Sequence, residues 1–171
     1  MSYKDKYLKY KKKYIDLKKQ SIIKGGKPIY YFDDVDFHPF IWYVDLSDQL
    51  CITSIKSFFC IKCVNLRYIN LSPLSNVISI GNNFMSDCTS LKSINLSGLT
   101  KLENIGDYFM KDCTSLKSID LSGLTKLETI SYGFMWGCTS LTSIKCSQKL
   151  EEILITYLYL NENTINYIIK S

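Results

Sequence analysis

One segment recurs at constant spacing along the chain, and this internal repeat constrains the fold more than any other feature. The copy at 80–104 and the copy at 105–129 are identical at 20 of 25 positions, and a third copy begins at Ile130. A repeat of constant length between 20 and 50 residues is typical of stacked coils, because a single coil buries its apolar face only against its neighbours. The repeat therefore predicts a solenoid.

A step of one repeat length aligns apolar side chains in columns that extend the repeat over residues 44–153. The columns are Ile41, Leu66, Leu91, Leu116 and Leu141; Val44, Ile69, Ile94, Ile119 and Ile144; Leu46, Leu71, Leu96, Leu121 and Cys146; Ile55, Ile80, Ile105 and Ile130; Phe59, Phe84, Phe109 and Phe134; Cys63, Cys88, Cys113 and Cys138; Leu74, Leu99 and Leu124; Val77, Leu102 and Leu127. These columns are the predicted core. The last coil is shorter, because 149–153 matches 126–130 at a step of 23.

Each coil is predicted to contain one short strand and one helical turn. The strand points Leu91, Ile94 and Leu96 inward. Phe109 and Cys113 are four residues apart, so a helical turn would direct both toward the core, with a capping residue at its start. Asp107 is the residue placed to cap it.

The repeat resembles the BspA-like leucine-rich repeat. The matching patterns are L-x-x-I-x-L at 91–96 and I-G-x-x-F-M-x-x-C-x-S-L at 105–116. Leu74, Leu99 and Leu124 stand where ordinary leucine-rich repeats carry asparagine. The resemblance implies an α/β repeat: a right-handed leucine-rich-repeat solenoid with a short parallel β-sheet and short helical turns, which acts in recognition rather than catalysis.

The N-terminal twenty residues differ from the repeat in charge and periodicity. Tyr3, Tyr7, Tyr10, Tyr14 and Leu17 follow the 4-3-4-3 spacing of an amphipathic helix. Its basic residues are Lys4, Lys6, Lys9, Lys11, Lys12, Lys13, Lys18 and Lys19. The helix could dock on the protein itself, bind a partner or another copy, or make weak contact with nucleic acid or an anionic membrane through residues 3–20.

Composition divides the chain into four predicted segments. They are a basic helix with linker at 1–24, an aromatic cap at 25–43, the solenoid of about four coils at 44–153, and a C-terminal cap at 154–171. The string YLKYKKKY at 7–14, with Leu17 and Gly25-Gly26 after it, is similar to the opening of giant DNA virus (mimivirus-like) proteins. That resemblance implies a viral protein in host cytoplasm or a virion.

No apolar run reaches the ~18 residues that span a bilayer, and no secretory signal is recognised. An intracellular protein, neither secreted nor transmembrane, is the expectation.

The sequence favours neither catalysis nor a cofactor or metal. His38 is the only histidine, and the Asp33, Asp34 and Asp36 group lacks the calcium-loop pattern. Cys60-x-x-Cys63 has the spacing of a zinc or redox motif. However, Cys63 falls in the cysteine column of the repeat and Cys60 aligns with Met85, Met110 and Met135, so both are interpreted as core residues.

The outward-facing positions of the predicted strands are the candidate partner-binding surface. They are Arg67, Tyr68, Asn70, Lys92, Ser93, Asn95, Lys117, Ser118, Asp120 and Lys145. A solvated face without a partner is the alternative interpretation, and Tyr108, Tyr132 and Trp136 form a second candidate surface. We predict a non-enzymatic protein-interaction module with a protein partner and no small-molecule substrate. The alternative is an anionic-surface binder acting through the Lys-rich helix.

Overall fold

The computed structural model describes Val44, Leu46, 51–160 and 169–170. All of these residues belong to the second of the two units into which the chain divides, Asp34–Ser171. The predicted basic helix, with its eight lysines, and the predicted aromatic cap lie outside the described residues.

The described residues form eight short strands and one helix. The strands are β1 (Ser54–Ile55), β2 (Tyr68–Asn70), β3 (Ser79–Ile80), β4 (Ser93–Asn95), β5 (Asn104–Ile105), β6 (Ser118–Asp120), β7 (Ser143–Lys145) and β8 (Ile169–Lys170), and the helix α1 is Gln148–Leu160.

The predicted strand of the repeat forms one side of the coil stack. β2 pairs in parallel with β4, and β6, β7 and β8 form a second parallel sheet. β6 is the neighbour of β4 but does not pair with it. Each pairing joins equivalent positions of successive repeats, such as Ile69 with Ile94 and Ile119 with Ile144. The repeat length of the sequence is therefore the spatial repeat of the backbone.

A second line of strands, which the sequence did not predict, forms another side. β1, β3 and β5 form a parallel three-stranded sheet, again with a step of one repeat, since Ile55 pairs with Ile80 and Ile80 pairs with Ile105. The line stops at the next coil, where 128–130 is not a strand and Ile130 is only half-buried. Each of the first three coils thus contributes two short strands rather than one.

The third side consists of turns, and the predicted helical turn is wrong. Tyr108, Met110 and Asp112 have φ angles of 58°, 53° and 55°, whereas an α-helix requires φ near −63° at successive residues. Asp107 does not cap a helix; its N–H donates to the Asn82 Oδ1 at 3.0 Å. Phe109 is nevertheless buried, as are Met110 and Cys113 of the same turn.

Positive φ recurs at the same three positions of every coil. The positions are Phe58, Asn83, Tyr108 and Gly133; Cys60, Met85, Met110 and Met135; Lys62, Asp87, Asp112 and Gly137. Hydrogen bonds to both neighbouring coils hold the turn: Met110 N–H donates to Phe84 O at 2.8 Å, and Asp112 N–H donates to Trp136 O at 2.7 Å.

The interior consists of the columns that the repeat predicts. Apart from Ile41, which lies outside the described residues, only Phe59 and Ile130 are less than fully buried. The phenylalanine column is a continuous stack, with Phe84 and Phe109 ring centroids 5.1 Å apart and nearly parallel. Phe109 and Phe134 follow at 5.3 Å. Offset stacking of this kind adds ~0.5–1.5 kcal/mol per pair to area burial.

The C-terminal part departs from the predicted alignment. Helix α1 occupies the stretch 149–153 that was aligned with 126–130, so the shortened last coil is wrong as a structural alignment. Ser147 directly precedes the helix, and its carbonyl accepts the Glu151 N–H at 2.9 Å. After the helix, β8 returns to the step of one full repeat, because Ile169 pairs with Ile144. The domain boundary at 153, which falls inside α1, and the handedness of the coils stay predictions.

Candidate interaction surfaces

The predicted partner-binding residues lie side by side on the strand side of the coils. Eight are exposed, and Asn70 and Asn95 are half-buried. The parallel pairing places them in rows that run across the coils, as the columns of the sequence require. We call this surface the strand face. Its role in binding stays a prediction.

One row of the strand face has a structural role. The Asn70 Oδ1 accepts the Ser72 N–H at 3.0 Å, and the Asn95 Oδ1 accepts the Ser97 N–H at 3.0 Å. The Asp120 Oδ1 accepts the Ser122 N–H at 2.8 Å. A side chain that bonds the backbone two residues later stabilises a turn. These side chains therefore stabilise the turns that follow the strands. They are less available to a partner than the sequence suggested.

Asp120 also forms an ion pair with a lysine on this face. Lys145 Nζ lies 3.2 Å from Asp120 Oδ2. The hydrogen bonds from Ser122, and then the nearby Lys145 ammonium, hold the pKa of the Asp120 carboxyl below its usual range. Both side chains are more than half exposed, so the ion pair contributes little stability.

The first row of the strand face is basic. Arg67, Lys92 and Lys117 occupy the same position in three successive coils, and all three are exposed. We call these three residues the basic row. Next to them, the exposed Tyr68 is the one aromatic side chain among the predicted strand-face residues.

Three aromatic side chains on the turn side contact one another. Tyr108 and Tyr132 meet edge to face with ring centroids 5.4 Å apart, and Tyr132 and Trp136 do so at 6.3 Å. Tyr132 is 56% exposed and Trp136 is 43% exposed. The turns that carry these side chains are not helical, contrary to expectation. We call these three residues and Lys111 the aromatic cluster.

Lys111 is the member of this cluster that the sequence analysis missed. Its Nζ lies 5.6 Å from the Tyr108 ring centroid and 5.8 Å from that of Trp136, within the distance at which a cation is attracted to a ring face. It also lies 3.5 Å from the Asp112 carboxylate. Lys111 and Trp136 are one repeat apart, so their column could have indicated the contact.

Gly133 is the residue that lets Tyr108 lie over the next coil. A Cβ at Gly133 would lie 2.9 Å from Tyr108 Cε1, and φ there is +70°. Glycine is the residue type that accepts this φ without strain. The position of the Tyr108 ring therefore depends on a glycine at the equivalent position of the neighbouring coil.

The Cys60-x-x-Cys63 motif is part of the core. Both cysteines are fully buried, and all seven cysteines of the chain are free. A hydrogen bond with Cys60 and burial raise the pKa of the Cys63 thiol far above its usual range. A protonated thiol neither ligates a metal nor attacks a substrate. Within the described residues, no group of histidine, cysteine and acidic side chains could hold a metal ion.

Within the part of the chain that the structure describes, no helix has the length and apolar character needed to cross a membrane.

The comparisons with known proteins agree with the geometry. Residues 51–170 match the family model described as the BspA type leucine rich repeat region, in six copies. No curated protein and no solved structure matches the chain. The matched span covers well over half of the 171 residues, and it includes both lines of parallel strands and the turn side. The chain therefore belongs to the BspA-type leucine-rich-repeat family.

Proposed function

We propose that the protein is a non-enzymatic protein-interaction scaffold, with the aromatic cluster at the centre of one binding surface. Leucine-rich repeats commonly serve as such scaffolds. The single observation that carries the proposal is the exposure of Tyr132 and Trp136 in a fixed edge-to-face arrangement. Tryptophan, tyrosine and arginine dominate the energetics of protein interfaces.

Tyr132 and Trp136 differ from the phenylalanine column in their exposure to water. Three rings of the phenylalanine column are buried in the core, whereas Tyr132 and Trp136 each leave about half of their surface in water. Covering apolar surface contributes about 25 cal/mol per Å². Aromatic rings held by neighbours also lose little side-chain freedom on binding. The cluster is therefore organised before a partner arrives.

Truncation of the cluster tests this proposal. The tagged full chain is used to capture partners from the cells that express it, and the retained proteins are quantified by mass spectrometry. Trp136→Ala is expected to weaken retention of a specific partner by about thirty-fold, which corresponds to ~2 kcal/mol.

Ile155→Ala is the matched control, because Ile155 is also large, apolar and 52% exposed but lies on α1. The control is expected to retain the same partner as the unaltered chain. Equal retention by the Trp136→Ala and Ile155→Ala variants would contradict the role of the cluster.

A further inference from the structure

We propose that the basic row, Arg67, Lys92 and Lys117, binds an acidic segment of a partner protein. The row lies on the strand side of the coils, whereas the aromatic cluster lies on the turn side, so the two are separate surfaces. This inference rests on the proposed function, since its occupant is a protein, and it adds the chemistry that the strand face selects.

The backbone places the three cations in one line. Arg67, Lys92 and Lys117 each precede the first residue of a strand, β2, β4 and β6. The Lys92 N–H donates to Arg67 O at 2.9 Å, which locks the first two coils together at this position. Paired strands lie about 4.7–4.9 Å apart, and β6 is the next neighbour. The row is therefore a ladder of positive charge with roughly one cation per coil.

No carboxylate within the described residues pairs with these three side chains. Among the predicted strand-face residues, Asp120 is the one carboxylate, and it is already engaged by Lys145 and Ser122. Like charges one coil apart repel one another. An occupant with carboxylates opposite the row removes that repulsion and gains the attraction of complementary charge.

The residues beside the row favour a polypeptide over a nucleic acid. Ser93 and Ser118 are exposed next to Lys92 and Lys117, and a hydroxyl donates a hydrogen bond to a carboxylate. Proteins that bind single strands without sequence preference use several aromatic side chains on which bases stack. The one aromatic side chain at this row, Tyr68, lies at its end.

The spacing also suits acidic side chains of a polypeptide. Residues on one face of a helix recur at about 5–6 Å, and residues on one side of a strand recur at about 6.4–6.8 Å. Flexible lysine side chains adjust to either distance. The expected occupant is therefore a segment with three or more Asp or Glu residues on one face.

The test measures binding of a fluorescein-labelled oligoglutamate peptide to the full chain by fluorescence anisotropy at low ionic strength. The variant R67Q/K92Q/K117Q is expected to bind the peptide at least about ten-fold more weakly than the unaltered chain. The matched control is K62Q/K101Q/K126Q, which removes the same charge from three exposed lysines on other parts of the described surface. The control is expected to stay within about two-fold. Circular dichroism checks that both variants are folded.

Three results with the oligoglutamate peptide would overturn the proposal. The unaltered chain could fail to bind the peptide, both triple variants could lose affinity equally, or neither could lose it. Equal loss would mean that net charge, including the N-terminal lysines, is responsible. In support of the proposal, the reversed variant R67E/K92E/K117E is expected to bind labelled oligolysine instead.

Two further binding measurements distinguish the acidic peptide from a nucleic acid and the basic row from the aromatic cluster. If labelled oligothymidylate binds more tightly than oligoglutamate and loses affinity in R67Q/K92Q/K117Q, the occupant is a nucleic acid and the proposal is wrong. Trp136→Ala is expected to keep full affinity for oligoglutamate. If capture of a partner does not depend on the aromatic cluster but the peptide still binds through the basic row, the proposed function fails and this inference stands.

Discussion

At the scale of single residues, the positive φ angles of the turns are the feature that differs most from what the leucine-rich-repeat pattern predicts. Left-handed backbone at a residue other than glycine costs about 1–2 kcal/mol, yet Tyr108 and Met110 both adopt it. The final coil has Gly133 and Gly137 at two of the three positions. Hydrogen bonds between coils must therefore offset the strain wherever glycine is absent.

Lys62 allows a direct measurement of this strain. It is exposed, its φ is 56°, and its N–H donates to Ser86 O at 2.8 Å. Lys62→Val is expected to lower the free energy of unfolding by about 1–2 kcal/mol, because a β-branched residue is poorly accommodated at positive φ. Urea denaturation measures the change. Lys92→Val, the same substitution beside β4, is expected to stay within about 0.5 kcal/mol; equal losses would exclude backbone strain as the cause.

The buried thiols make stability depend on pH. Hydrogen bonds with neighbouring thiols, followed by burial, raise the pKa of Cys88 and Cys113. An unfolded thiol has a pKa of about 8.5, so above that pH the unfolded chain releases protons that the folded chain keeps. The contribution of these buried thiols to stability is therefore fully present below about pH 8.5 and decreases as the pH rises above it.

We expect the free energy of unfolding, measured with reductant present, to fall between pH 7.5 and pH 9.5. Each such thiol contributes a slope that approaches ~1.4 kcal/mol per pH unit. The range ends below the ordinary pKa of tyrosine and lysine, about 10. Cys88→Ala is expected to flatten the slope, even though the cavity lowers stability at every pH. A flat profile for the unaltered chain would show that the buried thiols ionise normally.

At the scale of elements, two glycines in identical local sequence have different surroundings. Gly98 and Gly123 both follow serine in the motif L-S-G-L-T-K-L-E. A Cβ at Gly98 would lie 2.6 Å from Ser72 Cα, whereas a Cβ at Gly123 would lie 3.4 Å from Ser97 Cα. The closer approach occurs where β2 pairs with β4, and the looser one where β4 and β6 do not pair.

Gly98→Ala and Gly123→Ala are therefore expected to differ in stability. The first forces a methyl group into the backbone of the preceding coil and is expected to cost about 1–3 kcal/mol. The second meets ordinary contacts apart from Ser97 O at 3.3 Å. It also reduces the entropy of the unfolded chain, so its net effect is expected to be near zero. Denaturation midpoints of the two variants provide the comparison, and equal midpoints would contradict it.

The sequence predicted some features of the strands and coils and missed others. The columns predicted the buried face of each coil, because burial follows the repeat: Leu91, Leu116 and Leu141 are all buried. They also predicted the parallel strands β2, β4, β6 and β7. The break between β4 and β6 and the second line of strands were missed, because they depend on contacts between coils that nearly identical copies cannot reveal.

The candidate surfaces follow the same division. Arg67 and Lys92 are exposed because each falls between two columns of buried residues, which the repeat of the sequence shows directly. The role of Asn95 in its turn and the position of Lys111 between two rings depend on backbone geometry. That geometry contains alternating positive φ at non-glycine residues, for which local propensity gives no signal.

At the scale of the whole molecule, each coil contacts only its neighbours, so loss of stability should begin at an end. Helix α1 follows the last coil and buries Leu150 and Leu154, which are 1% and 0% exposed. It replaces the second half of a coil before β8 restores the pairing with β7. We therefore expect the helix to close the apolar interior that the preceding coil would otherwise leave open.

Leu154→Ala tests whether helix α1 protects the coils in order, starting from the last coil. The substitution is expected to destabilise the last coil by about 2–5 kcal/mol, since it leaves a cavity under the helix. Hydrogen exchange measured by mass spectrometry should then show faster exchange at the Met135 amide, which bonds Phe109 O in the preceding coil at 2.8 Å. The Met85 amide, two coils earlier, should keep its protection. Ile155→Ala removes a similar side chain from the exposed side of α1 and is expected to change neither amide. Uniform acceleration at Met85 and Met135 in Leu154→Ala would mean that the coils unfold as a single cooperative unit rather than from the end.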